Sequence, residues 1–364
     1  MSILTINAGS SSLRLSLFAQ TNNGLIKQAE THHQNITTVD SLFLADFIAS
    51  VTAAEITLIV HRVVHGGDLF IAPTLIDMMV EKTIKQLIPL APLHNPSALH
   101  WIQQTRHLLG ELPQVAVFDT AFYHSLPKVA ATYALPQALC QQYKIRRYGF
   151  HGIAHCAMLN RWLEIQPEIK GGGKVISVQL GSGCSITAIN HGVPMDTSMG
   201  FSPLEGLVMA TRPGDFDPAV ILYLQQQAKL SEEELVHLLN KQSGLLGLSG
   251  ESGDMRLLLE SDTLEATLAI DLYCYRVRKY IGAYLSVLGG ADAILFGGGV
   301  GENSAQVRAN ILKSMEWLGI ILDATQNENS QGKEVRISSA ESQTEVWVIT
   351  VDEARVMAQS ALDV

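Results

Sequence analysis

Two arginines, an aspartate and a histidine stand where this sequence could do chemistry on anions. Arg62 follows the apolar run Ile56-Thr57-Leu58-Ile59-Val60, and Arg212 lies in Ala210-Thr211-Arg212-Pro213-Gly214. A guanidinium is planar, permanently charged and matches carboxylate or phosphate with a bidentate fork. Arg62 therefore suits an oxyanion clamp, with a structural salt bridge as the alternative. Arg212 suits a phosphoryl group in transfer. Asp119 ends the apolar run Gln114-Val115-Ala116-Val117-Phe118. It could hold Mg2+ or orient a reacting group, or simply cap the helix that follows. His151 sits in Arg146-Arg147-Tyr148-Gly149-Phe150-His151-Gly152. It could neutralise developing charge, or be a hydrogen-bonded core histidine. His61 and His65 have i,i+4 spacing, but Gly66-Gly67 and a strand context argue against a helical zinc pair.

Two turns could present phosphates to these groups. The first, Asn7-Ala8-Gly9-Ser10-Ser11-Ser12-Leu13-Arg14, lies between runs with strand period. Gly9 permits a tight turn and close approach of a ligand, while successive amides, hydroxyls and Arg14 favour an anion. Alone, such a turn is more often just a hairpin. The second, Gln179-Leu180-Gly181-Ser182-Gly183-Cys184, repeats the plan about half a chain later. Gly181 matches Gly9 and Gln179 matches Asn7. Two phosphate-facing turns suit a nucleotide-dependent phosphotransferase. A third glycine turn, Gly297-Gly298-Gly299-Val300-Gly301-Glu302-Asn303, follows an apolar strand and opens a helix, placing amides and a helix N-terminus against a nucleotide. It is not a strict dinucleotide fingerprint, and no GxxxxGK[ST] loop occurs.

The elements that must position these groups are α/β in pattern. Strands are expected at 56–60, 114–118, 175–189 (a hairpin), 293–297 and 345–350, and helices at Leu42–Ser50, 84–93, 97–109, 218–229, 231–240, Leu264–Leu288 and 354–361. Residues 20–55 look polar and irregular before their helix, and Asn95, preceding Pro96, should be extended. Ser231 with Glu234 forms a capping box. Residues 243–256 look like a glycine-rich loop, and Gly171-Gly172-Gly173 like a connector. The tyrosines at 273, 275, 280 and 284 suit packing or a dimer face.

At 364 residues, two domains are expected. Apolar residues make up 47% and charged residues 16%, which argues against disorder and for large buried cores. A net charge of −10 argues against nucleic-acid binding, but a basic pocket for small anions remains compatible with it. Cys140, Cys156, Cys184 and Cys274 form no CxxC pair and suit reduced, mostly buried thiols in the cytoplasm. Neither a signal peptide nor a membrane span is visible.

Together the motifs resemble the acetokinase family of the sugar kinase, heat-shock 70 and actin superfamily. The resemblance runs from Asn7-Ala8-Gly9-Ser10 to Asp352-Glu353. It is carried by His61-Arg62-Val63-Val64-His65-Gly66-Gly67, Phe118-Asp119-Thr120, Arg147-Tyr148-Gly149-Phe150-His151-Gly152, Asp196-Thr197-Ser198-Met199-Gly200-Phe201, Pro203-Leu204-Glu205-Gly206 and Gly301-Glu302-Asn303-Ser304. It implies a duplicated ribonuclease-H-like (actin-like ATPase) fold with an interdomain cleft: domain 1–150, joined by a C-terminal helix 354–364, and a nucleotide-binding domain 151–353. It implies a homodimer and reversible ATP-dependent phosphorylation of a short carboxylate, acetate first, to an acyl phosphate and ADP. By matching position, Arg62, Asp119, His151 and Arg212 are catalytic. Arg62, Val64, Leu93, Phe150 and Pro203 bind the carboxylate substrate. Ser10, Ser12, Arg14, Gln179, Gly181, Ser182 and Gly183 lie near the phosphates, and Asp254, Met255, Arg256, Gly299, Val300, Gly301 and Asn303 near the rest of the nucleotide. Asn7 and Glu353 hold Mg2+, for which Mn2+ can substitute. The sequence differs from the family pattern at Arg14, usually lysine, and at Gln179 and Ser182, usually histidine and asparagine. Propionate or another short acid is an alternative substrate, and a nucleotide-binding paralogue without turnover an alternative class.

Overall fold

A computed structural model describes residues 1–9, 12–34, 42–51 and 56–364. The chain forms two compact units, each discontinuous in sequence. The first comprises Met1–His124, Phe150–Ala157 and Asp352–Val364; the second comprises Ser125–Gly149 and Met158–Val351.

Each unit is built on one six-stranded mixed sheet, and the two sheets share one topology. In the first, β1 (Ser2–Ala8), β2 (Ser12–Thr21) and β3 (Gly24–Gln34) form an antiparallel meander. β4 (Ile56–Val63) pairs parallel with β1, β6 (Gln114–Phe118) parallel with β4, and the short β5 (Thr74–Leu75) antiparallel with β6. In the second, β7 (Lys174–Leu180), β8 (Cys184–Asn190) and β9 (Val193–Thr197) form the meander. β10 (Ala293–Gly297) and β12 (Glu345–Val348) add in parallel, and β11 (Val335–Arg336) closes the edge antiparallel. The duplication expected from the two glycine-serine turns is therefore a duplication of whole sheets.

The parallel strands are apolar runs because helices cover them and both faces need burial. All five residues of β6, and all five of β10, are buried. In the first unit, Ile3, Val60, Val117 and Ile153 pack with Met357 and Ala358 of the helix Glu353–Ser360. That packing fixes Glu353 at a helix start. In the second unit the helix Leu264–Leu288 spans the length expected and buries Tyr273 and Tyr284; Tyr275 is exposed and the Tyr280 hydroxyl donates to Asp215 Oδ2 at 2.7 Å. Among the described residues, no helix is long and apolar enough to cross a membrane. Cys184 and Cys274 are buried, and Cys140 and Cys156 half-buried.

Four local expectations are corrected. Much of the stretch read as irregular is β3, an edge strand whose polar outer residues hid its pairing with β2. The helix read at 84–93 is Met78–Gln86, started by the Asp77 side chain accepting the Val80 N–H. Asn95 is not extended but the first residue of the helix Asn95–Leu109. Its side chain clamps the His65 backbone from both sides, accepting its N–H at 3.2 Å and donating to its carbonyl at 3.1 Å. Tertiary hydrogen bonding outweighs the local bias of a residue before proline. Gly244–Ser249 is helical, entered through Gly244 at φ +64°.

Candidate active site

The ends of β1, β4 and β6 and the start of the helix Glu353–Ser360 bring four predicted residues into one hydrogen-bonded chain. Arg62 donates Nη2 and Nε to Asp119 Oδ2, at 2.6 and 3.0 Å. Its Nη1 reaches Asn7 Oδ1 at 3.2 Å, and Asn7 Nδ2 donates to Glu353 Oε2 at 2.6 Å. Asn7 and Glu353 are 346 positions apart in sequence. The Arg62 side chain is 13% exposed and that of Asp119 fully buried. Burial opposes the charge on Arg62, but Asp119 and Glu353 outweigh it and raise its pKa. Burial pushes the Asp119 carboxyl above its ordinary range, against the pull of Arg62. Asp119 thus does not cap the short helix that follows it, whose N-cap is Thr120; it holds a guanidinium, and the Ile153 N–H near the start of the helix Gly152–Ile165 also favours its charged form. No partner closes a good hydrogen bond on its second oxygen, Oδ1, among the described residues.

His151 lies in a strained turn against this chain. Its φ is +58°, a left-handed conformation that a residue bearing Cβ seldom adopts, and Gly149 before it has φ +75°. Gly152, which opens the helix Gly152–Ile165, approaches Asp119 so closely that a Cβ there would lie 2.1 Å from the Asp119 carbonyl oxygen. The turn is anchored by the Tyr123 hydroxyl donating to the Phe150 carbonyl at 2.9 Å. His151 is half-exposed; Val64 and Phe150 are buried and Leu93 is exposed. His61 and His65 are engaged elsewhere. His61 Nε2 meets Gln114 Oε1 at 2.8 Å, and His65 Nδ1 accepts the Gly67 N–H at 3.0 Å. Burial lowers each to about 4, so both are neutral at physiological pH.

At the first turn, Ser12 accepts the Gly9 N–H through its carbonyl at 2.8 Å. Arg14 lies in register with Asn7, its Nε 3.8 Å from Glu30. Ser10 lies outside the described residues.

The second unit holds the remaining predicted residues. Its turn is closed by the Gly181 N–H donating to the Gly183 carbonyl, and the Ser182 carbonyl accepts the Ala210 N–H. Gln179, last but one in β7, pairs with Gly297 of β10. Arg212 donates Nη1 to the Pro203 carbonyl at 3.3 Å, and burial lowers its pKa. The loop carrying Pro203 and Arg212 is braced from beneath. Glu205 takes hydrogen bonds from the Tyr133 hydroxyl and Arg147, and Arg147 also donates to the Thr197 carbonyl at 3.0 Å. Asp215 accepts the Gly206 N–H at 2.8 Å. Arg147 and Glu205 stood in the quoted motifs without a role; their signal was charge inside a glycine-rich, otherwise apolar run. Asp254 caps the helix Met255–Leu259 and pairs with the exposed Arg256, while Met255 is buried.

The residues thus divide between the two units: Asn7, Arg62 and Asp119 of the first, and the turn at 179–183 of the second, stand at strand ends where α/β sheets carry their ligand sites, while Pro203 and Arg212 lie in a loop and Asp254 at a helix start. Over residues 22–359 the sequence matches the profile of the Acetokinase family. This chain belongs to the acetokinase family. The acetate kinase of Acetivibrio thermocellus is 39% identical over all of this chain and 98% of its own. The crystal structure of Porphyromonas gingivalis acetate kinase covers the whole chain and 99% of its own, with TM-score 0.87 at 35% identity. That of a propionate kinase from Francisella tularensis covers 99% of this chain and 98% of its own, with TM-score 0.89 at 38% identity. The acetokinase fold is the duplicated, actin-like α/β fold expected from the sequence.

Proposed function

We propose that this protein transfers the terminal phosphoryl group of ATP to acetate, giving acetyl phosphate and ADP, and runs the reaction in reverse. The observation that carries this reading is Arg62, fixed by buried Asp119 on one side and by Asn7 and Glu353 on the other, in a chain of the acetokinase family. A carboxylate is already nucleophilic, so no strong base is needed. The work is to bring two anions together and to stabilise charge on the phosphoryl in flight. A carboxylate oxygen attacks the terminal phosphorus in line; the bond to the bridging oxygen breaks, and that oxygen leaves on ADP.

In the first unit, Arg62 neutralises the carboxylate and Asp119 holds its fork in place. His151 stands by to stabilise the phosphoryl, and Val64, Leu93 and Phe150 enclose the acyl methyl. Ser10, Ser12 and Arg14 serve the phosphates. In the second unit, Arg212 serves the phosphoryl, Pro203 the acyl pocket, and Gln179, Gly181, Ser182 and Gly183 the phosphates. Asp254, Met255, Arg256, Gly299, Val300, Gly301 and Asn303 take the rest of the nucleotide.

Glu353 and Asn7 fit a nucleotide-borne Mg2+, or Mn2+ in its place. No cluster of three or more His, Cys, Asp or Glu suited to a metal occurs among the described residues. Mg2+ typically asks for less: one or two carboxylates, with waters and phosphate oxygens completing its shell. Bound there, the ion neutralises phosphate charge.

The test is ATP-dependent hydroxamate formation with acetate, propionate and butyrate. An acetate optimum is expected. A propionate optimum moves the substrate by one methylene, the alternative that the Francisella tularensis likeness keeps in view. No product with any acid, despite ATP binding, defeats the reading.

The same proposal includes a homodimer. The helix Ala219–Gln227 (AVILYLQQQ) buries none of its residues, and Val220, Leu222 and Tyr223 are exposed. An apolar helix left bare in one chain suits a second copy. Light scattering is expected to give twice the chain mass, and Leu222→Asp to halve it; a monomer in the unaltered protein refutes this.

A further inference from the structure

β10 runs straight into the helix Gly298–Asn303, Gly-Gly-Val-Gly-Glu-Asn. Six residues with three glycines make a helix with almost no stability of its own, because nucleation is costly and glycine loses the most backbone entropy. Its two ends are held from outside the backbone. Gly297 provides no side-chain cap. Instead Glu302, in the last turn, folds back over the first: its Oε1 accepts the Gly298 N–H at 3.0 Å and the Val351 N–H at 3.1 Å. At the other end Arg308, 1% exposed, donates Nη1 to the carbonyls of Gly301 and Glu302, at 2.7 and 3.0 Å. Its Nε is fixed by Asn327 Oδ1 at 2.8 Å. An acid at the helix start and a cation at its end both match the helix dipole.

What these groups hold still is bare backbone. A Cβ built on Gly299 meets nothing within 4 Å. Gly299 and Asn303 are exposed, and Asn303 Nδ2 donates to the Gly299 carbonyl at 2.9 Å. The inner side is the opposite: Gly298 has φ +78°, and a Cβ there would lie 2.6 Å from the Leu180 carbonyl oxygen. The helix is therefore pressed against the end of β7 and open on its other face. Its first amide is already taken by a carboxylate, which repels phosphate. That amide is closed to the phosphates, and the exposed side at Gly299 is open to a nucleoside.

We propose that Glu302 is a positioning residue for nucleotide binding: one carboxylate oxygen locks the bare face of Gly298–Asn303 to the backbone at Val351, so that the adenosine of ATP meets a preformed surface. This rests on reading the protein as an ATP-dependent carboxylate kinase. Preorganisation of this kind acts on nucleotide affinity and leaves the carboxylate alone.

The test uses the full chain, with ATP and acetate each varied at saturation of the other, and ATP binding titrated by calorimetry. Glu302→Ala is expected to raise KM and Kd for ATP about tenfold or more while KM for acetate stays within about twofold. Glu302→Gln keeps a carbonyl acceptor in place and is expected to stay within about threefold of the unaltered protein. Equal rises in both KM values, or a Gln variant as weak as Ala, overturn the proposal. If Glu302→Ala does not fold, Glu302→Asp, one methylene too short to reach both amides, replaces it, and an unchanged Kd for ATP overturns the proposal equally. Failure of the underlying reading looks different: the unaltered chain then makes no acyl phosphate at all.

Discussion

Arg62→Ala is expected to lower kcat by about 10³-fold or more, the order of effect when a cation is withdrawn from a phosphoryl in transfer. The geometry adds to the lost charge. Asp119 Oδ2 accepts both Nε and Nη2 of this one guanidinium, and Asn7 Oδ1 accepts Nη1. Without Arg62, burial acts on the Asp119 carboxyl with only the Ile153 N–H against it and drives it further toward its neutral form. Asn7 loses the contact that orients its amide toward Glu353. An uncompensated buried charge also costs about 3–5 kcal/mol of stability. The two effects separate with a second change: Arg62→Ala with Asp119→Asn removes the orphaned charge, so stability should largely return while turnover does not. Arg62→Lys keeps the charge but replaces the fork with a point donor, and is expected to recover activity only in part. The checks are kcat and KM by hydroxamate formation and urea unfolding of all three. Near-normal turnover in Arg62→Ala would remove Arg62 from the mechanism.

That cluster shows where sequence reading stops. Each member was legible by type and place: an arginine and an aspartate at apolar strand ends, an acid before a terminal helix. Their assembly was not, because it depends on β1, β4 and β6 lying side by side and on a helix more than 340 residues from Asn7 packing onto that sheet. Local rules did well where the physics is local. The capping box of Ser231 and Glu234 and the helix Leu264–Leu288 are as the pattern says. They failed where a distant partner decides. Asn95 turns helical because its side chain serves His65, and β3 is a strand because β2 offers it an edge. Glu302 was missed for a subtler reason. An acid in the last turn of a glycine helix looks misplaced against the dipole, until its side chain is seen to reach back to the first.

Gly152→Ala carries the other large expected loss, and it comes from a single methyl group. The new Cβ would stand 2.1 Å from the Asp119 carbonyl oxygen and 2.7 Å from Phe122 Cβ. The first obstacle is backbone, so no rotamer change relieves it. Either β6 or the start of the helix Gly152–Ile165 must move. The helix is held by Ile153 in the core beside Met357 and Ala358, and by Trp162, which is fully buried. The overlap is expected to cost about 3 kcal/mol or more of stability. His151 immediately precedes the displaced residue in a left-handed conformation, and Asp119 lies on the other side of the contact, so both move with it. A displacement of about 1 Å in a reacting group can cost about 10²-fold in rate, and kcat should fall by that order even in the fraction that folds. Gly282 supplies the control. It lies inside the helix Leu264–Leu288, and a Cβ there meets nothing within 4 Å. The same glycine-to-alanine change at Gly282 should stabilise the protein by roughly 0.5–1 kcal/mol and leave kcat unchanged. Opposite signs from one chemical change would show that Gly152 is kept for the approach of helix to strand, and not for chain flexibility. If Gly152→Ala melts at the temperature of the unaltered protein and turns over normally, the close contact does not set the Asp119–His151 geometry.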